Sequence, residues 1–384
     1  MRTIAILGAT GSIGTQAADV VMRHPDMFDA TVLTAHGRSE RLFDLARKLK
    51  PQVAGLVVEP ESIPDDLKDI GWFFGEDCSE KALKAARPDD ALASVVGIAG
   101  LPAVITALDC CERVLLANKE ALVTGGNLVM NKARERGVKL IPVDSEHSAI
   151  FQCLEAANKN APSRLILTCS GGSLRDWDID KLDSAKVSDV VKGHPTWNMG
   201  AKITVDCATM MNKGLEVMEA KYLFDMPQEK IDVIMHPDSI VHSLVEFEDG
   251  AMLAQLGTPD MRVAIAYAMS YPKRVDTGAK RLDLADVSKL SFYDVDERRY
   301  PLFKLATEAL KAGGSAPIAL NAANEEAVGA FIRGRISFGG ICGIVKEALE
   351  RIPRMNADSI QAVYECDRVA RIMTLEIINR KDLK

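Results

Sequence analysis

The chain opens on a short apolar run, residues 3–7, that breaks into G-A-T-G-S-I-G at 8–14 and resumes with helical spacing through Met22. A strand that runs through a glycine turn into a helix is the pattern of a βα unit. Further strand patterns stand at 30–35, 53–58, 91–98, 113–117 and 139–142, and helical ones centre on 40–50, 78–86, 101–110 and 125–136. Their alternation predicts a mostly parallel sheet covered by helices on both faces, over residues 1–145. Past that point the rhythm changes. Segments 164–168, 231–235 and 239–247 read as strands, and Glu248-Asp249-Gly250 reads as a hairpin turn into 251–256. A second sheet is therefore expected, with a helix over 212–222 against it. T-P-D-M-R at 258–262 carries the cap and early-proline signal of a helix reaching Ser270. Residues 271–300 show no sustained period and read as a linker, after which helical spacing dominates at 302–312, 317–333, 340–351 and 356–379. The expected fold class is α/β: an N-terminal parallel sheet over 1–145, an α+β domain over 146–270 with a lid loop at 171–201, a linker at 271–300 and a C-terminal helical bundle at 301–384.

Composition narrows what such a molecule handles. The 384 residues exceed what one hydrophobic core usually organises, and 47% hydrophobic residues let each domain fill its own core. A net charge of -7 removes the driving force for wrapping nucleic acid, while a local basic pocket for one small anion remains compatible with it. The first residues run straight into the glycine turn, without the charged and apolar regions of a signal peptide, and no run reaches the roughly 18 to 20 apolar residues that span a bilayer. Eight cysteines lie scattered without a ligand-like spacing. They fit a reducing compartment, so a cytoplasmic protein with no catalytic cysteine is expected.

The candidate chemistry gathers at a few places. Glycines at 8, 11 and 14 let the backbone turn tightly and approach a pyrophosphate, and the free N–H groups at the following helix start attract its charge, so nucleotide binding is expected at this turn. The second strand ends in His36-Gly37-Arg38 with no acidic residue for the ribose hydroxyls; a guanidinium there suits a 2'-phosphate and favours NADP. Asn118, Lys119 and Glu120 follow a strand's C-terminal end, where parallel sheets bind ligands. Asp144, Ser145 and Glu146 read as a strand edge with both acids on one side, about 7 Å apart, suited to a hard divalent cation. Glu216 is the best third ligand; Asn212 shares its helical face, and Lys213 can reach a phosphate. Gly214 leaves room for a close approach. Ser170 in C-S-G-G, 169–172, offers a hydroxyl beside exposed glycine amides, an anion nest. The stretch G-H-P-T-W-N-M-G, 193–200, reads as the lid, with His194 aimed at substrate. His236 either lines the site or packs at a strand end. Asn321 and Asn324 read as scaffold, capping or bracing an active-site helix.

Taken in order, G-A-T-G-S-I-G, L-A-N-K-E, P-V-D-S-E-H-S-A-I-F-Q, H-P-T-W-N-M-G, T-M-M-N-K-G-L-E, H-P-D-S-I-V-H-S and L-N-A-A-N-E resemble the 1-deoxy-D-xylulose 5-phosphate reductoisomerase family, from Arg2 to about Ile378. The resemblance implies a Rossmann-like N-terminal domain, NADPH, a divalent metal (Mg2+, Mn2+ or Co2+), a sugar-phosphate substrate and a homodimer. It further implies that Asp144, Glu146 and Glu216 bind the metal, and that Lys119 and Ser145 hold the carbon skeleton. Ser170, His194, Asn212 and Lys213 would hold the hydroxyl and phosphate end, with Trp197 covering it. Thr10, Gly11, Ser12, Ile13, the 36–38 turn, Asn118, Glu120 and Gly200 would contact NADPH. The implied reaction rearranges a ketose to a branched aldehyde, by α-ketol shift or retro-aldol route, and reduces it to 2-C-methyl-D-erythritol 4-phosphate, without a covalent nucleophile.

Two positions depart from the family's usual pattern. Cys207 stands where serine precedes A-T in the phosphate pocket, and Cys169 where G-S-G-G is common; a lost phosphate bond would weaken binding by on the order of 1 kcal/mol. The residues leave two other readings open: an NADP-dependent oxidoreductase acting on another phosphorylated polyol, and a non-catalytic nucleotide sensor.

Overall fold

The structure, a computed structural model, describes residues 1–158, 160–191 and 200–382. Its contacts divide the chain into two units. The first comprises Met1–Ala121, Val129–Phe151 and Asp260–Arg281, and the second comprises Leu122–Leu128, Gln152–Pro259 and Leu282–Lys384.

The first unit is built on strands β1 (Arg2–Leu7), β2 (Phe28–Ala35), β3 (Val53–Leu56), β4 (Gly71–Phe74), β5 (Asp90–Ala93), β6 (Arg113–Leu116) and β7 (Lys139–Pro142). They form one sheet in the order β4-β3-β2-β1-β5-β6-β7, and every pair is parallel. Between them run α1 (Ser12–Arg23), α2 (Ser39–Leu49), α3 (Cys78–Ala86), α4 (Leu101–Cys110) and α5 (Lys119–Arg136). Helices on both faces explain why Ile4, Ile6, Leu33, Leu56 and Leu92 have no exposed surface and why these strands read as apolar runs without alternation. Strand order reverses between β1 and β5, and the glycine turn after β1 sits at that switch, where ligands of open parallel sheets bind. Strand β4, G-W-F-F, was not expected; four residues without alternation carry no period to read.

The chain next forms α6 (Ser145–Ala156), β8 (Pro162–Cys169), α7 (Val187–Val191), α8 (Ala201–Ala208), α9 (Met211–Leu223), β9 (Ile231–Met235), β10 (Val241–Phe247) and β11 (Met252–Leu256). The strands make a four-stranded mixed sheet, order β11-β10-β8-β9, with β8 and β9 parallel and the other pairs antiparallel. Helix α9 packs against β8 and β9, as expected.

Helix α10 (Met261–Ser270) and the residues after it as far as Arg281 cluster with the first unit, whereas the sequence placed 146–270 in one domain and began a linker between domains at 271. Contacts distant in sequence decide this. Arg113 donates to the carbonyls of Tyr271, at 2.7 Å, and Met269, at 3.1 Å. Lys139 reaches the Tyr271 hydroxyl at 2.6 Å, and α10 packs on α1. After α11 (Leu284–Val287) come α12 (Pro301–Ala312), α13 (Ala316–Ile332), α14 (Phe338–Arg351) and α15 (Ile360–Asp382). They are the predicted helical bundle, and they cluster with the mixed sheet in the second unit.

Candidate active site

In the first unit, the turn after β1 is shaped by its glycines. Gly8 has φ +83°, and a side chain on Gly14 would meet the Gly8 carbonyl oxygen at 2.3 Å, a backbone atom that cannot move aside. Gly11 occupies the cap position of α1 without a side-chain cap, so the first amides of that helix face outward for an anion. Gly11 and Ser12 are exposed, Ile13 is half-buried and Thr10 is buried. His36, Gly37 and Arg38 are all exposed, at the end of β2 and the start of α2.

Asn118 caps α5 by accepting from the Ala121 amide at 2.8 Å, and its own amide group donates to the carbonyls of Val95 and Gly97. These bonds occupy the side chain, so Asn118 shapes the turn beside β5. Glu120 is buried next to it.

Asp144 and Glu146 do not sit on a strand edge. Strand β7 ends at Pro142, and α6 begins at Ser145. The Asp144 side chain accepts from the Glu146 amide at 3.2 Å, while its carbonyl accepts from the Ser148 amide at 2.8 Å. An aspartate that can satisfy the free amides of a first turn starts a helix, and that local bond overrides the alternating pattern. Asp144 thus caps the helix on whose first turn Glu146 lies. Lys119 Nζ lies 2.8 Å from one Asp144 oxygen and the buried His147 Nδ1 lies 3.1 Å from the other. Burial alone would raise the Asp144 carboxyl; the Lys119 ammonium and the His147 bond outweigh it and hold the group well below the usual carboxylate range. Ser145 donates to Glu146. This cluster offers an ionised Asp144 carboxylate beside the Glu146 carboxyl as hard oxygen donors, with His147 as a supporting partner that the sequence reading did not single out; its D-x-x-H spacing is the signal that could have found it.

In the second unit, α9 carries the other predicted residues. Asn212 donates to Glu216 across one turn, and Lys213 pairs with Glu216. The Lys213 and Glu216 side chains are 4% and 1% exposed, so this is a buried ion pair on the helix face. Glu219, a further turn on, is also fully buried and was not anticipated. Gly214 admits another helix: a Cβ there would lie 2.3 Å from Ala306 Cβ of α12.

At the end of β8, Gly171 and Gly172 have φ +81° and +72°, and the Gly172 amide donates to Ser170 Oγ at 3.2 Å. A side chain on Gly172 would strike the backbone of Cys207 and Ala208, so α8 lies directly on this loop and brings half-buried Cys207 to it. Gly200, exposed, starts α8. Asn324 of α13 donates at 2.8 Å to buried Asp206, which also pairs with Lys202. The predicted brace therefore holds α8; Asn321 donates to Glu325. His236 is wholly buried, and both of its ring nitrogens serve the local chain: Nδ1 meets the Ser291 carbonyl at 2.8 Å and Nε2 accepts from the Ile240 and Val241 amides. That is strand-end packing, the alternative role foreseen for it. His194 and Trp197, with the 192–199 part of the expected lid, lie outside the described residues. Segment 174–183 of that lid is anchored within the unit: Arg299 donates to the Leu174 and Trp177 carbonyls, and Asp183 accepts from Ser337 and the Gly339 amide.

Three family models cover most of the chain. The 1-deoxy-D-xylulose 5-phosphate reductoisomerase model matches residues 4–126, the model for that enzyme's C-terminal domain matches 140–224, and the DXP reductoisomerase C-terminal domain model matches 256–373. The chain belongs to the 1-deoxy-D-xylulose 5-phosphate reductoisomerase family. The reductoisomerase of Cupriavidus necator is 47% identical over 97% of this chain and 96% of its own length. That of Gloeobacter violaceus is 45% identical with the same coverage. The reductoisomerase of Zymomonas mobilis, solved with NADPH, superposes with a TM-score of 0.90 at 38% identity, over 98% of this chain and 99% of that one. A second reductoisomerase structure, with NADPH, fosmidomycin and magnesium, gives the same TM-score at 36% identity, over 99% and 98% of the two chains.

Proposed function

We propose that this chain catalyses the NADPH- and metal-dependent conversion of 1-deoxy-D-xylulose 5-phosphate to 2-C-methyl-D-erythritol 4-phosphate. The observation that carries the reading is 45–47% identity to curated reductoisomerases across 97% of the chain. The residues present suit both groups the reaction calls for. Asp144, Glu146 and Glu216 are the proposed ligands of Mg2+, Mn2+ or Co2+, and oxygen donors are what such hard cations take. Thr10, Gly11, Ser12 and Ile13, with His36, Gly37, Arg38, Glu120 and Gly200, are the proposed NADPH contacts; Asn118 supports them by shaping its turn. When bound, the cation supplies Lewis-acid polarisation of the substrate oxygens and NADPH supplies hydride.

The chain's own work is to bind, orient and neutralise. Lys119 holds Asp144 ionised and, with Ser145, orients the carbon skeleton. Lys213, already poised against Glu216, brings positive charge to the phosphate end, where Asn212, Ser170, Cys207 and His194 are the proposed partners and Trp197 the cover. His236 supports this end through the backbone it holds.

A homodimer is part of the proposal. It draws support from β11, the sheet's edge strand, where Met252, Leu253 and Leu256 are 49%, 39% and 37% exposed. A cytoplasmic location is supported by eight free cysteines. Among the described residues no helix is long and apolar enough to cross a membrane.

The deciding assay follows NADPH absorbance with purified protein, 1-deoxy-D-xylulose 5-phosphate and Mg2+ or Mn2+. Turnover is expected, with kcat lowered about 100-fold or more by Asp144→Asn or Glu216→Gln. Binding of NADPH without turnover of this substrate would refute the assignment.

A further inference from the structure

The segment that the sequence presented as linker ends in a residue buried beneath the proposed phosphate loop. Tyr300 is 1% exposed and packs with Cys169, Met210 and Met235 in one small core. Those three residues flank the Ser170 loop, lead into the helix of Asn212 and Lys213, and close β9. The Tyr300 hydroxyl donates to the Gly171 carbonyl at 3.0 Å. Burial pushes the phenol above its ordinary value, so it stays an O–H donor. Arg175 Nη1 donates to the neighbouring Ser170 carbonyl at 3.1 Å. A Cβ on Gly171 would touch Arg175 Cγ at 2.9 Å and the Tyr300 hydroxyl at 3.1 Å, so the two side chains grip one glycine.

Gly171 and Gly172 both adopt left-handed φ, a conformation with little intrinsic preference for one peptide orientation. The Gly172 amide is the one that donates to Ser170 Oγ, so rotating the Gly171–Gly172 peptide would misplace the hydroxyl and the amide together. The strap before Tyr300 is itself pinned to the same strand ends. Met235 and Tyr293 exchange backbone hydrogen bonds at 2.9 Å, Phe292 stacks on His236 with ring centres 4.5 Å apart, and Ser291 donates to Asp238.

We propose that Tyr300, through the Gly171 carbonyl and with Arg175 on the adjacent Ser170 carbonyl, is a positioning residue for the substrate's phosphate end. The proposal rests on the reading that Ser170 binds that end. Since a positioned anion contact made equally in ground and transition states acts on KM rather than kcat, the two parameters separate it from general loosening.

Steady-state kinetics of the full chain with NADPH and Mg2+ test it. Tyr300→Phe keeps the ring and removes the donor; KM for the sugar phosphate should rise about fivefold and competitive inhibition by inorganic phosphate weaken to match, with kcat and KM for NADPH within about twofold of the parent. Arg175→Met should show the same signature, and it decides the matter if Tyr300→Phe fails to fold. An unchanged sugar-phosphate KM in a folded variant, or parallel rises for sugar phosphate and NADPH, would overturn the proposal. Ser170→Ala separates the two layers. If it leaves KM unchanged, the loop reading itself is wrong; if it raises KM while the Tyr300 and Arg175 variants do not, only the positioning role falls.

Discussion

Asp90 shows how one residue holds distant parts of the first unit. Its side chain is fully buried and takes paired hydrogen bonds from Arg2 at 2.8 Å and from Arg113, whose remaining donors hold the Met269 and Tyr271 carbonyls. Removing a partner from a buried pair strands the other charge. Asp90→Ala should therefore lower unfolding free energy by about 3–5 kcal/mol in denaturant titration, and Asp90→Ala/Arg113→Met should recover part of it. His242 makes a pH prediction in the second unit. Burial lowers it from 6.5 to about 4, with His236 and Lys213 adding to the shift while hydrogen bonds to Gly257 and Thr258 oppose it. Because its folded value lies below the unfolded one, the stability linked to neutral His242 is complete above about pH 6.5 and lost as pH falls from there toward 4. The loss approaches about 3 kcal/mol at the acid end. His242→Gln should flatten the melting temperature between pH 4 and 6.5; an unchanged slope would contradict it.

At the scale of elements, the glycine turn and the acidic cap teach opposite lessons. G-A-T-G-S-I-G was legible because its requirements are local: Gly14 lies against the Gly8 carbonyl a few residues away, whatever the rest of the chain does. The D-S-E-H segment was misread as a strand because alternation and the first turn of a capped helix look alike over five residues, and only the Asp144 side chain's bond to the Glu146 amide separates them. Gly214 shows an element's need for close approach whose neighbour the sequence did not name. It lets α12 approach α9 until Ala306 touches the helix backbone, directly behind Lys213 and Glu216. Gly214→Ala should destabilise by about 1–3 kcal/mol through overpacking, read as a lower melting temperature, and Ala306→Gly should relieve it. Were the Gly214→Ala protein as stable as the parent, the close helix contact would be wrong.

For the whole molecule, the proposed assembly yields its own expectation. With β11 exposed along an unpaired edge, Leu253→Glu should convert a dimer to a monomer in light scattering, and a dimer unaffected by charges along β11 would remove that strand from the interface. Most of the architecture could be read from periodicity: the alternating βα half, the hairpin into β11 and the C-terminal helices all carry signals within a dozen residues. The sequence by itself determined the classes of element, the glycine turn after the first strand and the inventory of acids, lysines and serines, since each is a matter of local conformational preference or chemical type. Tertiary structure alone decided that residues 260–281 return to the first sheet, that the His236 and Asn118 side chains bond to backbone groups of their own unit, and that Tyr300 reaches the Gly171 carbonyl. Those outcomes depend on contacts between residues up to 252 positions apart, and a pairing over such a distance leaves no pattern in either partner's neighbourhood.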